Sequence, residues 1–184
     1  MATMIDTVIR SLQPADIEAT REVIDAANRQ FEAVVPAALF AAYREDVLDI
    51  ESRLARGETL VAEHRGRIVA TITYFADAND EGVGPRVPAR TAGLRTMAVH
   101  PDARGRGIAR RLVEAVIGRA REDGAQAIVL HTWLVMHAAM SLYESLGFRR
   151  APDLDVGSRD FFPTNADDDP AALAFRLDLA AGAS

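Results

Sequence analysis

At 184 residues with a hydrophobic share of 49%, the chain has the length of a single domain, expected to occupy 1–184, and enough apolar surface for one continuous core. It contains no cysteine, which excludes a disulfide framework, a thiolate metal cage and a cysteine nucleophile together. A formal net charge of -6 argues against general nucleic-acid or anionic-membrane binding, since both need a basic surface, and favours cationic partners.

The opening stretch MATMIDTVIRSLQPAD carries charges and no long apolar run, and no window approaches the roughly 20 apolar residues that span a bilayer. A soluble, cytoplasmic protein is therefore expected. Thr7 to Arg10 reads as a short strand, and Pro14 and Asp16 announce a helix with Ile17, Val23, Ile24 and Ala27 on one side. A second helix is expected after Pro36, from Ala37 to Arg56, with Leu39, Phe40, Tyr43, Val47, Leu48 and Leu54 apolar and Gly57 as its stop. Its acids Glu45, Asp46, Asp49 and Glu51 read as a solvated face. Leu60 to His64 and Arg67 to Phe75, joined by Arg65-Gly66, have the composition of a tight antiparallel hairpin. Asp77 to Arg90 mixes acids, glycines and prolines without periodicity and reads as a long loop, a kind of segment that often borders a binding site.

Thr91 to Val99 is the third core strand. A helix with Ile108, Leu112, Val113 and Val116 on one face follows it and stops near Gly124. Gln126 to Thr132 reads as a buried strand and Ala138 to Leu146 as a short helix closed by Gly147; Phe148 to Ala151 and Leu173 to Leu179 complete the strands. Between them Pro152 to Pro170 is irregular, with Asp167, Asp168 and Asp169 as a solvated loop tip. Strands and helices in this order make an α/β (α+β) fold whose sheet combines antiparallel and parallel pairs.

One segment departs from the acidic background. Arg104, Arg106, Arg110 and Arg111 lie close together where the strand LRTMAV gives way, through HPDARGRGIARRL, to an amphipathic helix. The first N–H groups of a helix have no internal partners and carry the positive end of its dipole, glycines let an anion approach the backbone, and arginines add directional donors. The pattern points to a small phosphate-bearing ligand. It is not a GxxxxGK[ST] loop, and Gly105-Arg106-Gly107 lacks the third small residue of GxGxxG. The strand after the helix ends in His131 and not in the acid that would hold a dinucleotide's ribose.

Arg104, Gly107 and Ala109, preceded by Val99 and Pro101, resemble the Q/R-x-x-G-x-G/A motif of the GNAT (Gcn5-related N-acetyltransferase) superfamily, and LYESLGF, Leu142 to Phe148, resembles its second landmark. The order of elements from Thr7 to Leu179 is similar to the whole fold, which implies a mostly antiparallel central sheet flanked by helices. The resemblance further implies that backbone N–H groups of Arg104, Gly105, Arg106, Gly107, Ile108 and Ala109 hold the pyrophosphate of acetyl-CoA and that Arg110 and Arg111 reach its nucleotide phosphates. Met97, Ala98 and Val99 would pair with pantetheine like an added strand, admitted by a splay between Thr91 to Val99 and Gln126 to Thr132. Tyr143 would donate to the departing thiolate, and the acceptor would be a small-molecule or peptide amine.

Two departures from the family pattern stand out. Ala92 to Val99 carries no acid to take the acceptor's proton, which leaves His131 as first substitute and Glu63 or a water chain as others; Met136 stands where the family often has asparagine. His64, His100, His131 and His137 show no metal-ligand spacing, so no metal is expected. The expected activity is acetyl transfer from acetyl-CoA to a primary amine by direct attack in a ternary complex. A non-catalytic acyl-CoA-binding module and, with less support, a nucleotide-dependent oxidoreductase stand beside it. Homodimers are common in the family.

Overall fold

The computed structural model describes residues 7–82, 84–157, 160 and 170–179. Strands β1 (Thr7–Ser11), β2 (Glu58–His64), β3 (Arg67–Phe75) and β4 (Thr91–Val99) form an antiparallel half-sheet in that order. The expected hairpin turn is there, with Arg65 and Gly66 both at positive φ. Strand β5 (Ala127–Trp133) joins β4 in parallel and starts a second half, in which β8 (Ala171–Asp178) pairs antiparallel with β5 and with the short β6 (Arg149–Arg150) and β7 (Val156–Gly157). The mixed, mostly antiparallel sheet is thus as the residue order implied. The strand expected over Phe148 to Ala151 is reduced to two residues. The acidic run Asp167 to Asp169 lies outside the described residues.

The sheet is covered on both faces. Helix α4 (Ile108–Glu122) turns Ile108, Leu112, Val113, Val116, Ile117 and Ala120 onto Ala62, Ala70, Ile72, Leu94, Ile128 and Leu130, forming the largest apolar cluster. On the opposite face Ile24 and Ala27 of α1 (Ile17–Asn28) meet Val47, Ile50 and Ala98. Helix α5 (His137–Ser145) adds Tyr143, whose ring packs against Phe148.

The helix expected over Ala37 to Arg56 is two helices, α2 (Ala37–Leu48) and α3 (Ile50–Leu54). Asp49 breaks it: at ψ 73° it leaves the helical region, and its carboxylate accepts the Ser52 N–H at 3.1 Å as the cap of α3. The buried Arg53 guanidinium donates to the carbonyls of Asp46 and Val47 in the last turn of α2, where the Asp46 carbonyl also accepts the Asp49 N–H at 3.1 Å. The acids of this stretch are therefore not all a solvated face. Asp49 caps, and Asp46 pairs with Arg95 of β4 at 2.8 Å.

Candidate active site

The two halves of the sheet are joined over a short length. Strands β4 and β5 pair only through Thr91, Ala92 and Gly93, which stand opposite Ala127, Ile128 and Val129; beyond that point Leu94 to Val99 have no β5 partner. The splay anticipated from the sequence is therefore present. It opens a cavity of about 590 Å³ between β4 and β5, closed at its mouth by the start of α4 and by α5.

A bulge shapes the β4 wall. Thr73 pairs with Arg95 and Thr71 with Ala98, so Thr96 and Met97 together face Ile72. Thr96 takes φ 54°, a left-handed conformation that costs a β-branched residue of order 1–3 kcal/mol, and its hydroxyl is buried without a partner. The extra residue re-aims the strand: Ala98 shares the α1 side with Arg95, while Met97 and Val99 lean on the α4 side. Nothing in the alternation of TAGLRTMAV announces this.

At the mouth, Gly107 caps α4 without a side-chain bond, and Gly105 and Gly107 stand at φ 73° and 70°. A carbon added to either would meet no atom within 4 Å. Their glycine character is thus demanded by backbone conformation, and the N–H groups of the turn are left open to an anion. Arg104, Gly105, Gly107, Ile108, Ala109 and Arg110 all line the cavity. The arginines divide. Arg104 donates to the Ala27 carbonyl and the Gln30 side chain, tying the turn to α1. Arg106 folds back onto the Asp102 carbonyl and is not part of the wall. Arg110 donates to Ser145 at 2.7 Å, joining α4 to α5, and Arg111 donates to the Thr7 carbonyl of β1. This residue set suits a diphosphate through backbone donors more than through a cluster of free guanidiniums.

Met97, Ala98, Val99, His131 and Tyr143 line the same cavity, so the structure brings together every proposed site residue except Arg106. Tyr143 is 5% exposed, and burial pushes its hydroxyl well above the ordinary tyrosine range. His131 is pulled below the ordinary histidine range, first by burial. Its Nε2 lies 3.0 Å from the Leu154 carbonyl. A carbonyl only accepts, so the neutral ring carries its proton on Nε2 and its lone pair on Nδ1. Met136 and His137, at the start of α5, also line the wall. Glu63 does not: it is held in an ion pair with Arg10 at 2.8 Å.

Sequence reasoning missed Glu81. It ends a short 3-10 turn, Ala78–Glu81, inside the loop expected to border a site, and it lines the cavity while only 6% exposed. Burial raises its carboxyl to about 8, against the opposing pull of Arg95 and Arg56. Gly84 of the same loop lies over the His131 ring. The far wall is aromatic, with Tyr43 and Trp133 at 4.7 Å between ring centres and the Tyr43 hydroxyl donating to Asn28 at 2.8 Å. Among the described residues no group of acids and histidines is arranged to hold a metal, and no helix is long and apolar enough to cross a membrane.

Comparison with known proteins bears on this arrangement. The acetyltransferase (GNAT) family profile matches residues 20–148. The chain is 34% identical over 125 residues to zebrafish (Danio rerio) N-acetylaspartate synthetase, a match covering 66% of this chain and 41% of that one. It spans less than half the length of the curated relatives it matches. The Escherichia coli ribosomal-protein-S18-alanine N-acetyltransferase superposes with a TM-score of 0.66 over 97% of both chains at 22% identity. A Brucella melitensis GNAT family acetyltransferase in complex with acetyl-CoA gives 0.56 at 26% identity, over 78% of this chain and 82% of that one. With the family profile spanning the phosphate turn, the fork and the α5 tyrosine together, the chain belongs to the GNAT acetyltransferase family.

Proposed function

We propose that residues 1–184 act as one domain that transfers an acetyl group from acetyl-CoA to a primary amine, by direct attack within a ternary complex. The observation that carries this reading is the fork between β4 and β5, which sets an unpaired strand edge, an open helix N-terminus and a buried tyrosine around one cavity. Family membership and the acetyl-CoA complex of the Brucella protein support acetyl-CoA as donor.

In this reading the backbone from Arg104 to Ala109, together with Arg110, receives the pyrophosphate, and Met97 to Val99 offer the extended pantetheine arm the ladder positions that β5 leaves vacant. Tyr143 stands at the thioester end. Reference values of about 10 for a phenol and about 8.5 for a thiol already make full proton transfer uphill by roughly 2 kcal/mol. Burial raises the phenol further, so Tyr143 remains protonated and serves as a hydrogen-bond donor to the departing thiolate. The ammonium of the acceptor must lose a proton before its nitrogen can attack. For that task the sequence offers His131, whose neutral ring keeps a lone pair on Nδ1.

Calorimetric titration with acetyl-CoA, followed by thiol release in the presence of a panel of primary amines, tests the reading. Saturable binding and amine-dependent release are expected, and Tyr143→Phe should bind acetyl-CoA normally while turning over about 100-fold more slowly. Binding without transfer to any amine would favour the non-catalytic module; full turnover by Tyr143→Phe would remove the tyrosine from the mechanism.

A further inference from the structure

Glu81 is a carboxyl group that folding has buried without pairing. Its side chain takes no hydrogen bond and no ion pair from any described residue. The backbone that carries it is fixed on all sides. Asp77 accepts the Asn79 N–H, the Asn79 amide bonds Val87 through both its oxygen and its nitrogen, and Arg56 donates to the carbonyls of Asp80 and Glu81. The carboxyl itself lies on Gly93, where an added side-chain carbon would stand 1.9 Å from Oε1 and 3.0 Å from Cδ. Gly93 is also the last β4 residue paired with β5. Glu81 thus occupies the vertex of the fork, on the same face as Arg95, and the missing side chain at Gly93 is what makes room for it.

The charged and titratable groups facing it are few. Arg95 comes from β4 and is engaged by Asp46 of α2; Arg56 follows α3 and is spent on carbonyls; His131 comes from β5. A buried carboxyl without a donor is costly to keep and points to a ligand that supplies one. The cavity beyond it is walled by Tyr43 and Trp133, surfaces that accommodate an apolar or aromatic body next to a cation.

We propose that Glu81 receives the acceptor as its ammonium ion and takes its proton, the acceptor being a primary amine whose apolar body lies along Tyr43 and Trp133. This rests on the N-acetyltransferase reading and reassigns one role within it. The Nε2–H of His131 is committed to Leu154, and a neutral imidazole, unlike a carboxylate, brings no opposite charge to a cation. Glu81 is also the stronger base. Moving a proton from a lysine-like ammonium near 10.4 to a carboxyl near 8 is unfavourable by a factor of roughly 250, and to an imidazole that burial holds below its ordinary range it is more unfavourable still.

The step balances. One N–H bond breaks and its proton goes to the Glu81 carboxylate. The freed lone pair attacks the thioester carbon, the C–N bond forms, and the C–S bond breaks with its electron pair leaving on sulfur beside the Tyr143 hydroxyl. A second nitrogen proton neutralises the thiolate, and Glu81 later returns its own proton to solvent.

Two measurements on the intact chain decide the matter. Carbon NMR of glutamate-labelled protein, with Glu81→Gln identifying the resonance, should show Glu81 titrating near pH 8 and moving to lower pH on addition of 2-phenylethylammonium. Titration in the ordinary glutamate range, about 4.3, or indifference to the amine overturns the proposal. With the best amine of the panel, Glu81→Gln should lose about 100-fold or more in kcat at unchanged acetyl-CoA affinity. His131→Gln should slow the reaction while leaving the rise in rate towards pH 8 in place. Activity retained by Glu81→Gln, or a pH limb that vanishes with His131→Gln instead, also overturns it. Failure to bind acetyl-CoA, with the Glu81 resonance still answering the amine, would sink the transferase reading and uphold the ammonium site.

Discussion

Gly93→Ala should destabilise the protein by forcing apart two elements that the glycine allows to touch. The new methyl would stand 1.9 Å from Glu81 Oε1, 3.0 Å from its Cδ and 3.2 Å from the Cα of Ala78. The carboxyl tip can swing, but the Ala78 backbone belongs to a turn held by Asp77, Asn79 and Arg56, so relief requires that turn to lift from β4. Forcing a methyl into a packed site costs about 1–3 kcal/mol, and the lower chain entropy of alanine returns about 0.4–1 kcal/mol. A net loss of about 1–2 kcal/mol lowers Tm by about 2–8 °C for a domain of this size. Glu81→Ala in the same chain removes the colliding group, so the double mutant should be about 1 kcal/mol more stable than the two single losses predict. Calorimetric melts of wild type, both single variants and the double variant measure the cycle. Wild-type melting of Gly93→Ala, or losses that add within about 0.5 kcal/mol, would mean that the carboxyl does not lie on the strand.

Gly107→Glu places a carboxylate at the helix N-terminus in a left-handed backbone position, and calorimetry should show acetyl-CoA affinity reduced by about 100-fold or more; unchanged affinity would move the phosphate site away from this turn. Asp49→Ala removes the cap that separates α2 from α3 and should cost about 1 kcal/mol in urea unfolding, and an unchanged midpoint would deny the cap its role. Glu81 gives the protein an unusual pH dependence. Because its folded value lies above its unfolded one, the folded state holds the extra proton between about 4.3 and 8, and stability falls as pH rises through that window. Glu81→Gln should therefore raise Tm at pH 8.5 and leave it nearly unchanged at pH 4; equal melting of the two proteins at both values would show an ordinary carboxylate.

What the sequence disclosed was local. The Arg65-Gly66 turn, the β4 span and the phosphate turn each announce themselves through neighbours in the chain, and the structure holds them where the spacing put them. What it concealed depends on contacts between distant segments. Asp46 looked solvated until Arg95, far along the chain, reached it. Glu81 was one acid of an aperiodic loop, and Gly93 an unremarked strand glycine; only their contact gives either a meaning. A pairing of a lone strand glycine with an acid in the preceding loop was the available signal, and it is too common to select a residue before the fold brings the two together. The left-handed Thr96 was equally hidden, since threonine is a residue type that strands favour. The expected role of Arg111 at the nucleotide end gives way to its bond with Thr7, because a guanidinium bonds whichever carbonyl folding brings near.

The unpaired edge of β4 is an adhesive surface kept indoors. On the rim of a sheet, consecutive backbone donors and acceptors without partners invite a strand from another molecule. Here the same edge faces β5 across the fork, inside a cavity whose described lining includes residues of α1, α4 and α5, a setting that suits a single slender chain. Any ligand that fills it completes the sheet, and its binding energy then adds to the energy of folding. At a free concentration of about 100 times Kd that contribution is about 2.7 kcal/mol, a substantial share of a typical domain's margin. The lifetime of the folded protein would then track the supply of whatever molecule fills the edge.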